Sequence, residues 1–143
     1  MSCPYFDPVA PQSPGSGPEN AMLPLGGVWD GLCRTVPGEP WQPDRATMQA
    51  LCNLGYARGS CARFPSRDGP DAVRFAIAGD DGATVRLYYV IERDHHPFAH
   101  GAFAQGPLDR LDGPAGNSSP LLARQAAAYI QSYRRRKREA SRT

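Results

Sequence analysis

The chain has 143 residues, a formal net charge of +2 and 21% charged side chains, which is room for one small domain and not for two separate cores. Leu, Ile, Val and Phe together number 24, against 15 Gly and 15 Pro, so the core is thin and needs a further constraint such as a metal, a cluster, disulfides or a partner, while the low net charge argues against full disorder. No apolar run is long enough to span a membrane, and the opening residues 1–8 lack the basic start and apolar stretch of a secretory leader, so the expectation is a cytoplasmic protein with no membrane partner.

Residues 1–20 carry Pro4, Pro8, Pro11, Pro14 and Pro18 and read as an extended arm that sustains neither a helix nor a paired central strand. Cys3, Tyr5, Phe6 and Val9 predict docking of 3–9, with 10–20 a looser connection. Residues 21–66 form a turn-rich cysteine lobe. Within it Asp44 caps a short helix over about 45–54 with Met48, Leu51 and Cys52 at helical spacing, and Gly55 ends it.

Strict alternation of Val73, Phe75 and Ile77, then of Val85, Leu87, Tyr89 and Ile91, around Gly79-Asp80-Asp81-Gly82 predicts a β-hairpin over 72–92. Asp80 and Asp81 are read as turn formers, not as a catalytic pair. Residues 95–118, rich in Gly and Pro, are expected to be a long loop. A C-terminal helix over 120–138, capped by Ser119 with Pro120 at its first position, presents Leu122, Ala126, Tyr129, Ile130 and Tyr133 as one apolar stripe. Two strands alone are marginal, so this helix is expected to cover the hairpin.

Cys3, Cys33, Cys52 and Cys61 are separated by 29, 18 and 8 residues, with no Cys-x-x-Cys knuckle of the kind that marks structural zinc. In a reducing compartment they are thiols or metal ligands before they are disulfides. Their setting suits an iron-sulfur cluster. Such a centre is anionic and is stabilised by nearby N–H groups and cations, which Arg34, Arg58 and Arg63 supply. Gly31, Gly55 and Gly59 admit close backbone approach, and Pro4 follows Cys3 as at many cluster ligands. The arginines are expected to favour the thiolate forms. Zinc bound by the same four residues, and four unconnected buried thiols, are the competing readings.

Four cysteines, the Gly27-Val28-Trp29-Asp30-Gly31 turn and a basic tail resemble features of the WhiB-like iron-sulfur regulators, whose clusters respond to redox conditions and whose tails touch DNA. Here the turn precedes Cys33 instead of following all four cysteines, so no residue role is carried across. His95, His96 and His100 are expected at a strand exit beside a packed Phe98; His96 and His100 have a metal-like separation, but Pro97 keeps them off a helix.

Arg134, Arg135, Arg136, Lys137, Arg138 and Arg142 against Glu139 make the tail locally +5 and leave −3 for the rest. The tail reads first as a solvated helix end and second as a nucleic-acid contact through Arg134–Arg138. The sequence therefore predicts a small α+β domain whose cysteine lobe holds one 4Fe-4S cluster, with Zn as the alternative cofactor. The expected role is redox, electron transfer or sensing with a redox partner protein, or a binding role in which the cluster supports the fold, the alternative being a zinc-stabilised interaction or nucleic-acid-binding module. An iron with four filled positions leaves no open site for substrate, which points away from an enzyme.

Overall fold

A computed structural model describes residues 2–11, 23–36, 38–53, 60–61, 63–65, 70–106, 111–112 and 120–141. The alternation over 72–92 produces β3 (Ala72–Asp80) and β4 (Val85–Arg93), paired antiparallel with Phe75 opposite Tyr89 and Val73 opposite Ile91. Because side chains alternate across a strand, Val73, Phe75, Val85, Leu87 and Tyr89 all bury on one face. Asp80 and Asp81 build the turn, as read: Asp80 accepts from the Gly82 N–H at 2.9 Å and Asp81 from Ala83 and Thr84 at 2.9 and 2.7 Å.

The C-terminal helix α2 (Pro120–Ser141) brings Leu122, Ala126, Tyr129 and Ile130 onto that face, each 6% exposed or less. Phe75 and Tyr129 meet with ring centroids 5.8 Å apart. Fully burying a side chain of this size contributes about 1.5–3 kcal/mol, so this seam carries much of a thin core. Ser119, the expected cap, lies outside the described residues.

The expected long loop is not found. Residues 95–118 are not one long loop: His96–Gln105 is strand β5, which pairs along the whole of β4, and Leu111–Asp112 is a short edge strand β6, giving a four-stranded antiparallel sheet in the order β3-β4-β5-β6. Asp94 and His95, both at positive φ (52° and 62°), make the two-residue turn into β5. The strand is hard to see because only Phe103 among its large side chains points into the core; Gly101 is there since a Cβ would lie 2.6 Å from the Tyr89 hydroxyl. Phe98, expected to pack, is 58% exposed.

The arm is extended and docked over 3–9, as expected, and it goes further than expected by pairing. Phe6–Pro11 is a strand, β1, paired with β2 (Trp29–Cys33) in a separate two-stranded sheet. A two-stranded sheet is all edge, so Pro8 and Pro11 are tolerated; the register slips between Pro8 and Ala10, leaving Val9 outside at 65% exposure. Ser2 adds one further bridge, to Val73 of β3. α2 packs against β1 as well as β4 and so joins the two sheets. Asp44 caps the predicted short helix by accepting from the Thr47 N–H at 2.7 Å; α1 (Arg45–Thr47) continues as a π-helical turn over Met48–Asn53. Gly55 and most of 10–20 lie outside the described residues.

Candidate functional site

Each cysteine is delivered by a different piece of chain. Cys3 opens a tight turn closed by the Phe6 N–H donating to the Cys3 carbonyl at 3.1 Å, with Pro4 at the position that favours such turns. Its own N–H donates to the Cys52 carbonyl at 3.1 Å, which fastens the arm to the π-helical turn. Cys33 ends β2 and exchanges hydrogen bonds with Trp41 at 2.6 and 3.0 Å. The Cys61 carbonyl accepts from the Phe64 N–H at 3.1 Å. The rings that follow Cys3 and Cys61, Tyr5 and Phe64, meet edge to face with centroids 5.5 Å apart.

The four thiols share one electrostatic neighbourhood. Burial pushes the Cys3 thiol up to about 12, the Tyr5 N–H offsets part of that rise, and Cys52, Cys33 and Cys61 each add to it. Burial likewise takes Cys52 to about 12, with further upward pushes from Cys33, Cys61 and Asp44. Cys3, Cys33 and Cys52 are buried and Cys61 is half-buried; all four are free thiols. Residues scattered from 3 to 61 therefore converge on one region.

Among the described residues, however, no three His, Cys, Asp or Glu are grouped closely enough to hold a metal ion. The two centres weighed from the sequence make different demands on the sulfurs. A single tetrahedral zinc, with Zn–S bonds of about 2.3 Å, requires its sulfurs about 3.8 Å apart. A cubane cluster seats each thiolate on a different iron and needs a wider gathering. Four sulfur donors, three of them buried, with the Tyr5 N–H directed at Cys3, share donor type and burial with cluster ligands, while their grouping at one centre is not seen among the described residues.

The arginines do not behave as expected. Arg34 donates to Asp7 at 2.6 Å, and Arg63 lies over the Trp41 ring at 4.4 Å. With their charges so engaged, desolvation prevails at Cys3 and Cys52, and these thiols are protonated at neutral pH. Arg58, Gly55 and Gly59 lie outside the described residues. Gly31 serves a different purpose from the one expected: a Cβ there would collide with the Asp7 carbonyl and lie 2.8 Å from Phe6 Cζ, so it lets β1 press onto β2.

Three polar residues that the sequence reading passed over hold the centre's frame. Asn53, fully buried, accepts from the Trp29 N–H and donates to the Trp29 and Met48 carbonyls, each at 2.9 Å, fixing the π-helical turn beside Cys52 to β2. Gln125 on α2, also fully buried, donates to the Cys3 and Phe6 carbonyls at 2.8 Å each and accepts from Ser2 Oγ at 3.2 Å. Asp7 receives Arg34 and Arg124, both at 2.6 Å. A signal for Gln125 existed: it falls three residues after Leu122 on the apolar stripe, where a polar side chain must find buried partners.

The remaining candidates lie on the four-stranded sheet and on α2. His95 sits in the β4–β5 turn, and His96 and His100 are exposed on β5. At the tail, Arg134 donates to the Gln105 carbonyl at 3.2 Å, while Tyr133 and Lys137 donate to Asp80 at 2.6 and 2.7 Å. Tyr129 is 1% exposed and so cannot stack on a base. No known protein family matches the chain, and neither a curated protein nor a solved structure shows significant similarity to it. No described helix is long and apolar enough to cross a membrane.

Proposed function

We propose that Cys3, Cys33, Cys52 and Cys61 together hold one 4Fe-4S cluster and that the protein acts in electron transfer or redox sensing, with a partner protein as the other half of the exchange. What carries this reading is the convergence of four thiols from four separate chain segments, each felt electrostatically at Cys3. When bound, the cluster supplies one-electron chemistry. The chain supplies the four sulfurs, the Tyr5 N–H directed at Cys3, burial of three donors, and the Tyr5–Phe64 ring contact beside Cys3 and Cys61. With every iron held by protein the role is carriage or sensing of electrons, not turnover of a substrate.

The test is anaerobic purification followed by iron, acid-labile sulfide and zinc analysis of the wild type and of Cys3→Ser. A brown protein with near-equal iron and sulfide, both lost in Cys3→Ser, is the expected result. A colourless protein containing zinc alone supports the zinc-stabilised interaction module instead. Metal-free protein whose fold tolerates Cys3→Ser leaves four ordinary buried thiols.

A further inference from the structure

Thr35 lies two residues beyond Cys33, where the chain leaves β2, with its hydroxyl oxygen 3.3 Å from the Cys33 sulfur. The place is fixed from both sides. The Arg34 N–H donates to the Tyr5 carbonyl at 2.9 Å, and Cys33 and Trp41 exchange hydrogen bonds, so residues 33–41 return on themselves with the Glu39 N–H on the Val36 carbonyl at 3.1 Å. A β-branched side chain held in such a segment has few rotamers open to it. Cys33 is 7% exposed, which leaves water little access to its sulfur, whereas Thr35 is half-buried. The cations expected to serve the sulfurs are engaged elsewhere, Arg34 by Asp7 and Arg63 by the Trp41 ring. The same pattern occurs at Cys3, whose sulfur receives the N–H of Tyr5, again two residues along.

We infer that in the cluster-bound protein the Thr35 hydroxyl donates to the Cys33 sulfur and raises the midpoint potential of the centre, which makes Thr35 a positioning residue acting through Cys33. This rests on the cluster reading proposed above. A free thiol and a hydroxyl can each donate to the other, but a thiolate ligand carries no proton, so ligation leaves the hydroxyl as the donor. Reduction brings one electron from the redox partner protein into the centre, makes it one unit more negative, and makes or breaks no bond. Part of that added charge resides on the ligand sulfurs, and a donor is held more strongly by a more anionic acceptor. The reduced form therefore gains more from Thr35 than the oxidised form does, and the potential rises. The Tyr5 N–H acts in the same direction at Cys3 but belongs to the main chain. Thr35 supplies a donor that a side-chain change removes.

Redox titration of the anaerobically purified full chain, followed by electron paramagnetic resonance, tests it in the wild type, Thr35→Val and Thr35→Ser, with iron and sulfide measured in each. Thr35→Val keeps the shape of the side chain and removes the donor. At a fixed potential its ratio of reduced to oxidised centre is expected to fall about threefold to tenfold, the tenfold limit being about 59 mV to the negative side for a one-electron couple. Thr35→Ser restores the hydroxyl and is expected to titrate with the wild type. Equal midpoints in wild type and Thr35→Val, or a Thr35→Ser centre shifted as far as Thr35→Val, overturn the inference and leave the cluster reading standing. A wild type without iron and sulfide overturns both. If Thr35→Val holds no cluster, Thr35→Ala takes its place in the titration; loss of the cluster in both overturns the inference, because Thr35 then acts in assembly and not on the potential.

Discussion

Gln125 offers the most direct test of how the C-terminal helix positions the cysteine centre. Its amide nitrogen donates to two carbonyls of the arm, at Cys3 and Phe6, and both bonds are 2.8 Å long in a fully buried setting. Gln125→Leu keeps most of the volume and removes both donors. Leaving a buried acceptor unpaired costs about 1–3 kcal/mol. The Cys3 carbonyl still receives the Phe6 N–H at 3.1 Å, so its loss falls at the low end, and the pair together comes to about 2–3 kcal/mol. For a chain of this size that is a fall in Tm of about 6–12 °C. Gln125→Glu is expected to be worse at neutral pH, because an anion then faces two carbonyl oxygens. Thermal unfolding followed by circular dichroism measures the shift, and alkylation of Cys3 followed by mass spectrometry measures the release of the arm. If Gln125→Leu melts within about 2 °C of wild type, or if Glu is tolerated better than Leu, the helix is not what holds Cys3 in place.

Gly31→Ala is expected to destabilise strongly, by at least the ~1–3 kcal/mol of an overpacked core, because its Cβ is driven into the Asp7 carbonyl and to 2.8 Å from Phe6 Cζ; a chemical-denaturation midpoint near that of wild type refutes the tight β1–β2 approach. Asp80 has its carboxyl held well below the usual carboxylate range, first by Lys137, then by Tyr133 and the Gly82 N–H. A depressed folded pKa contributes stability above the unfolded value of about 3.9 and loses it as pH falls through the folded one. The Tm difference between wild type and Asp80→Asn is therefore small, constant above about pH 5 and closing below about pH 4; a difference that widens in acid contradicts that sign.

What was legible in the sequence follows from where large apolar side chains carry the pattern. The hairpin and α2 show strong periodicity because Val73, Phe75, Leu87, Tyr89, Leu122, Tyr129 and Ile130 all face one core. β5 was hidden because its inward positions are occupied by Ala99, Gly101 and Phe103: the space is filled from below by Tyr89, a property of the neighbouring strand that local reading cannot reach. β1 was hidden by its prolines, which exclude a central strand but not an isolated pair lying against a glycine. The expectation that the cysteines share one centre rests on ligand chemistry, since their spacing has no standard form. The polar frame around them was not inferred at all. Gln125 and Asn53 find their partners at sequence separations of 122 and 24 residues.

That frame changes what one sulfur is asked to do. A bond from the Cys3 sulfur to a metal would by itself pin the arm. In the folded chain the arm is already fastened by the Ser2–Val73 bridge, by the Cys3 N–H on the Cys52 carbonyl, by Gln125 and by Asp7 between two arginines. None of these bonds uses a cysteine sulfur, so on the proposed reading a cluster need not bear the whole ordering entropy of the arm. Cys3→Ser should therefore lose iron while keeping β1 paired with β2, whereas Gln125→Leu should loosen the arm whether or not metal is bound. The two variants separate ligation from positioning, and a Cys3→Ser protein whose arm is released before any metal is removed would show that the sulfur, and not the polar frame, is what orders this end of the chain.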